Sequence, residues 1–212
     1  MSDSDDCTLS ESTRQALQEF FAEQALAGQA LAGQASVEEN WQLSQFWYND
    51  QTSKLLAMEC LSAIESKDCG LIGCLCCPSV YDKIMEIDPK RATRACLFEF
   101  DRRFATQNRQ YIFYDYRSPT DLPTTYKASC AVVIADPPFL SEECLLKVIT
   151  TAKFLTNERI IFCTGVSMEG ILTSHLKVER CRFLPQHNRK LANEFRCYAN
   201  YSTIYLNDEK EE

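Results

Sequence analysis

Cys130-Ala131-Val132-Val133-Ile134-Ala135 is apolar at every position, and the chain breaks immediately afterwards at Pro137-Pro138. This pairing constrains the fold more than any other feature. A strand that alternates apolar and polar residues can leave one face in water, whereas a strand apolar on both faces needs cover on both sides. That cover is what a parallel sheet with helices above and below provides. The two prolines stop the strand at once, because each fixes φ and neither can donate to a ladder. The sheet therefore ends on a stiff turn presenting the Asp136 carboxylate, the Pro137 carbonyl and the Phe139 ring. That is the edge at which open α/β sheets hold ligands.

The rest of the chain agrees with such a sheet. From Gly70 onward the patterns predict strands near 70–76, 95–100, 110–115, 130–135, 158–163, 178–184 and 194–205. Helices are expected near 50–66, 79–88, 102–107, 141–155 and 167–176, with Asp50 or Thr52 near the start of the first. Ser141 with Glu142 and Glu143 supplies a cap and first-turn acids for one of them. Alternation of this kind implies a seven-stranded, mainly parallel, doubly wound sheet. The last two strands are nearly consecutive, so one of them should be antiparallel, at or near an edge.

Before this region lies an acidic tail over 1–9, expected to be disordered. Next comes a helical segment over 10–40, which carries the doubled block Ala25-Leu26-Ala27-Gly28-Gln29 and Ala30-Leu31-Ala32-Gly33-Gln34. A five-residue period matches neither helix nor strand packing, so the repeat reads as low-complexity sequence without an assigned role. The main domain is expected over 41–206, with an acidic tail at 207–212. Trp41-Gln42-Leu43-Ser44-Gln45-Phe46-Trp47-Tyr48 is the densest aromatic patch. It could plug one side of the core or lie as a lid over a ligand.

Charge and cysteine content narrow the function. The net charge is −8, but acids at the two ends carry most of it and the body is close to neutral. A strongly basic nucleic-acid platform is therefore not evident. The acidic first residues do not look like a secretory leader, and no apolar run reaches the ~20 residues of a membrane span. A reducing cytoplasmic setting is expected, and most of the twelve cysteines fall within predicted strands and helices as small buried hydrophobes. Cys74, Cys76 and Cys77 lack a second Cys or His pair at finger-like spacing, so no metal is expected.

The turn chemistry suits an amine. N–H donors of an amine can bind Asp136 and the Pro137 carbonyl, Pro138 stiffens the turn and Phe139 limits the approach, so that catalysis is mostly positioning. A strand ending in Asp-Pro-Pro-aromatic marks enzymes that methylate amino nitrogens. Over roughly residues 40–206 the chain resembles class I S-adenosylmethionine-dependent methyltransferases. More narrowly, it is similar to the family once labelled N-6 adenine-specific DNA methyltransferase 2 and now assigned to lysine methylation of translation elongation factor 1-alpha. The stretches that carry this likeness are Trp41 to Tyr48, Pro78-Ser79-Val80-Tyr81, Phe98-Glu99-Phe100-Asp101-x-Arg103-Phe104, Phe113-Tyr114-Asp115-Tyr116, Ala135 to Cys144, Cys163-Thr164-Gly165 and Leu191 to Tyr198.

The resemblance implies S-adenosylmethionine as cofactor and elongation factor 1-alpha as partner, with the chain working as a monomer. It also implies positions for the cofactor. An acid ending the second strand takes the ribose hydroxyls; Glu99 and Asp101 are the candidates, with Asp101 at the tip favoured. Asp115 is placed for the adenine amine, with Tyr114 or Tyr116 beside the ring, and Tyr48 is included in the lid. The first loop departs from the class pattern: Cys77-Pro78-Ser79 stands where a glycine-rich turn is expected. Asn193 and Phe195 are expected on the wall opposite the turn, facing the substrate. The turn itself does not choose between lysine and adenine. For lysine, Asp136 favours the charged amine, while the cofactor's sulfonium and burial favour the neutral one, so cofactor binding should promote loss of the proton to water. A nucleic-acid amine methyltransferase and a non-catalytic cofactor-binding module are the alternatives.

Overall fold

The computed structural model describes residues 37–65, 70–105 and 109–207. The expected acidic tails and the repeat-bearing helical segment lie outside the described residues, apart from 37–40 and 207. One compact unit spans Glu39–Glu212.

Among the described residues the sheet has seven strands: β1 (Leu71–Leu75), β2 (Ala95–Glu99), β3 (Tyr111–Phe113), β4 (Cys130–Ala135), β5 (Arg159–Gly165), β6 (Glu179–Arg180) and β7 (Phe195–Ala199). Their spatial order is β3-β2-β1-β4-β5-β7-β6. β1 to β5 pair in parallel, and β7 runs antiparallel to both of its neighbours, β5 and β6. It is the one reversed strand of these seven, lying one position in from the edge rather than at it.

β4 is buried at all six positions. Successive side chains of a strand face opposite ways, so each side needs its own cover. Val133 and Ala135 join a cluster with Cys144, Leu145 and Val148 of α3 (Glu142–Leu155) and Leu172 of α4 (Glu169–His175). Val132 and Ile134, equally buried, turn to the other side, where α1 (Asp50–Ala63) packs on β4 and α2 (Pro78–Ile87) packs on β1 and β2. Each such aliphatic side chain contributes about 1.5–3 kcal/mol on burial.

The elements differ from expectation mainly in length. β6 has two residues instead of the seven expected over 178–184, and β7 stops at Ala199 rather than continuing to 205. The reason for the second is Glu59 of α1, whose buried carboxylate accepts from the Ile204 and Tyr205 N–H groups and the Tyr201 hydroxyl. Those donors leave the ladder for a side chain. The helix expected over 102–107 is a single 3-10 turn, Arg102–Phe104. α1 begins at Asp50, with Thr52 in its first turn as expected, and its cap is Asn49, accepting from the Thr52 N–H at 2.8 Å. Ser141 caps α3 as expected, accepting from the Cys144 N–H.

Candidate active site

The strand order reverses between β1 and β4, and the crevice at their carboxyl ends opens into a cavity of about 580 Å³. Two turns form its floor. On the β4 side, the Asp136 N–H still donates to the Leu75 carbonyl of β1 at 3.0 Å. The sheet ladder therefore holds the residue whose side chain enters the cavity, and Pro137 and Pro138 fix the backbone beyond it. Phe139 is 41% exposed at the mouth, its ring 5.8 Å from that of Tyr116.

On the β1 side, Cys76 adopts the left-handed conformation, with φ of 56°. Left-handed backbone costs an L-residue about 1–2 kcal/mol and is the usual province of glycine. Its N–H bonds the Phe98 carbonyl of β2, which holds it there. The sharp turn that a glycine would make is thus made by a cysteine. α2 then starts at Pro78, and no side chain caps it. Pro78 and Ser79 line the cavity, so a helix N-terminus with its partial positive charge faces it.

Glu99 ends β2 and lines the cavity; one of its oxygens accepts from the Asp101 N–H at 3.1 Å. Asp101 does not line it. β2 ends at Glu99, so strand alternation stops there, and Asp101 caps the 3-10 turn. Its carboxylate takes Arg103 Nε and Nη2 and Gln45 Nε2, leaving it committed within the protein. Asp115 lines the cavity, but both its oxygens accept from Arg117. Tyr116 and Tyr114 line it as well.

Burial pushes the Asp136 carboxyl up to about 7, with the Glu99 charge adding to the rise. Burial likewise pushes Glu99 up to about 7, opposed by its bond from the Asp101 N–H and assisted by the Asp101 charge. Two acids in one cavity are thus poised near neutrality, an arrangement that a cation entering between them would relieve.

The far wall comes from the segment before β7 and from the aromatic patch. Asn193, Phe195 and His187 line the cavity, the last two rings 4.9 Å apart. Burial holds the His187 imidazole down at about 4, so it is neutral. Leu43, Ser44, Gln45, Phe46 and Trp47 also line the cavity, and Gln45 ties the segment to Asp101. Trp47 packs edge-on against Phe104 at 5.9 Å. Tyr48 is buried and is not among the lining residues. The patch therefore both walls the cavity and plugs the core. Cys76, His187 and Arg117 are cavity residues that sequence reasoning did not single out; no local pattern marks them.

The donor set fits S-adenosylmethionine. Glu99 offers a carboxylate for vicinal hydroxyls, the uncapped start of α2 offers partial positive charge for a carboxylate, and the aromatic rings and paired acids suit a flat base and a cation.

A family model described as "Probable N6-adenine methyltransferase" matches residues 39–203. The human protein named EEF1A lysine methyltransferase 1 is 46% identical over 200 residues, covering 92% of this chain and 92% of that protein. The chain belongs to the EEF1A lysine methyltransferase 1 family. The mouse member is 46% identical over 206 residues, covering 95% of each chain. A Dictyostelium discoideum protein-lysine N-methyltransferase is 36% identical and covers 97% of both. A solved magnesium protoporphyrin IX methyltransferase from Synechocystis, with bound SAM, is distant, with a TM-score of 0.47 and 10% identity over 92% of this chain and 98% of that one. Asp136 through Phe139, Glu99 and the Cys76 turn thus form the cavity floor of an EEF1A lysine methyltransferase 1 family member.

Proposed function

We propose that this enzyme transfers a methyl group from S-adenosylmethionine to a lysine side-chain amine of translation elongation factor 1A. The observation that carries the proposal is Asp136: its backbone is held by the sheet ladder and its half-buried carboxyl faces the same cavity as Glu99. The names of the relatives point to the same substrate. When bound, the cofactor supplies an electrophilic methyl group on a sulfonium. Glu99 would hold its ribose, and the start of α2 its carboxylate.

Asp136 and the Pro137 carbonyl accept N–H bonds from the amine and turn its lone pair toward the reacting centre. A carboxyl held near 7 is also a closer match to an amine proton than an exposed aspartate is. Phe139, Asn193 and Phe195 shape the channel along the lysine stem. On this reading the working unit is a single chain. A reaction on a translation factor belongs in the cytoplasm; among the described residues no helix is long and apolar enough to cross a membrane.

The test is transfer of labelled methyl from S-adenosylmethionine to purified elongation factor 1A and to a cytosolic extract. Wild type should label one protease-sensitive band, and Asp136→Ala should lose at least about a hundredfold in rate while keeping its far-ultraviolet circular dichroism. Nuclease-sensitive label would replace the lysine reading with adenine, and cofactor binding without any label would favour a binding module.

A further inference from the structure

Tyr48 is 3% exposed, and its buried hydroxyl makes no hydrogen bond of regular geometry. A buried hydroxyl without one costs free energy that phenylalanine at the same place would avoid. The ring needs no hydroxyl to pack: it lies 4.8 Å from His187. Its position is set by backbone. Tyr48 bridges His187 in antiparallel fashion, the Asn49 N–H donates to the Gln186 carbonyl and the Asn188 N–H to the Trp47 carbonyl, both at 2.9 Å. The hydroxyl is thereby held close to the Asp136 carboxyl, the charged group that bears on it most.

We propose that Tyr48 is a positioning residue for methyl transfer, its hydroxyl donating to one oxygen of the Asp136 carboxylate so that the other is presented to the substrate amine. The proposal rests on the reading of Asp136 as the residue that orients the amine. The groups around this pair support it. Cys163 and Cys197 face Tyr48, and Glu99, Cys76, Cys77 and Cys197 face Asp136. Burial pushes the Cys76 and Cys77 thiols far up, and the Cys163 contact with burial does the same to Cys197, so these thiols are neutral and weak acceptors. Burial and the Asp136 charge keep the Tyr48 hydroxyl protonated, hence a donor. Asp136 is the strong acceptor available to it.

Tyr48→Phe keeps the ring and removes the donor. In the full chain, the Asp136 carboxyl followed by carbon NMR should titrate higher than in wild type, by roughly one pH unit. Transfer to elongation factor 1A should fall about fivefold at pH 7 and recover toward the wild-type rate at pH 9, with the far-ultraviolet circular dichroism unchanged. Conversely, Asp136→Asn should shift the Tyr48 ring signals. An unmoved Asp136 titration, an equal loss of transfer at every pH, or unmoved Tyr48 signals in Asp136→Asn would overturn the proposal. The NMR measurements need no substrate. If wild type fails to methylate elongation factor 1A, the proposed function falls while the link between Tyr48 and Asp136 stays open to refutation.

Discussion

The two turns that floor the cavity reach a similar sharpness by opposite means. After β4, rigidity is covalent: Pro137 and Pro138 fix φ, and the ladder bond from the Asp136 N–H to Leu75 sets where the turn begins. After β1, Cys76 sits at φ 56° because its N–H is claimed by β2 and α2 starts two residues later. The first turn carries its conformation in its own residues. The second borrows its conformation from the strands on either side and stores strain in the exchange. The difference suits the proposed division of labour, with a stiff turn at the reacting amine and a turn held by its neighbours under the cofactor.

Phe139→Ala should have the largest effect of three changes that probe this contrast. The ring is 41% exposed and meets Tyr116, so its loss should leave the melting temperature within a degree or two but lower kcat/KM for elongation factor 1A roughly thirtyfold. A large stability loss with unchanged kinetics would make the turn structural. Cys76→Val comes next. A β-branched residue at positive φ adds strain of about 1–2 kcal/mol, lowering the melting temperature and weakening cofactor binding, whereas Cys76→Gly should be tolerated. Equal behaviour of Val and Gly in urea unfolding would mean that the turn is not strained.

The smallest effect concerns pH. Because the folded Asp136 carboxyl lies near 7, above its unfolded value near 4, the native state binds this proton more tightly. Its contribution to stability is present below pH 4 and is lost as the pH rises through 7; Glu99 has the same sign. Asp136→Asn removes the charge, so it should raise cofactor-free stability by about 1 kcal/mol at pH 8.5, and by much less at pH 5.5. Melting curves at the two pH values check this, and an equal gain at both would mean that the carboxyl titrates normally.

What could be read from the chain tracks where each conformation originates. β4, its Pro-Pro stop and the Ser141 cap of α3 were legible because apolar patterning, ring closure and capping are properties of adjacent residues. β7 is shorter than the local pattern suggests because Glu59, more than a hundred residues away, draws the Ile204 and Tyr205 N–H groups out of the ladder. The preference for Asp101 over Glu99 rests on a strand reaching Asp101, but β2 ends at Glu99 and Asp101 caps the following turn.

A run apolar on both faces and closed by two prolines has few solutions, so local sequence alone dictates a mainly parallel sheet with a carboxylate, a carbonyl and an aromatic ring at one strand end. Tertiary structure decided which acids face the cavity, that a cysteine could take a glycine's backbone conformation, and that Asp136 is the charged neighbour of the Tyr48 hydroxyl. Those outcomes depend on hydrogen bonds and burial between segments distant in the chain, and no local pattern encodes them.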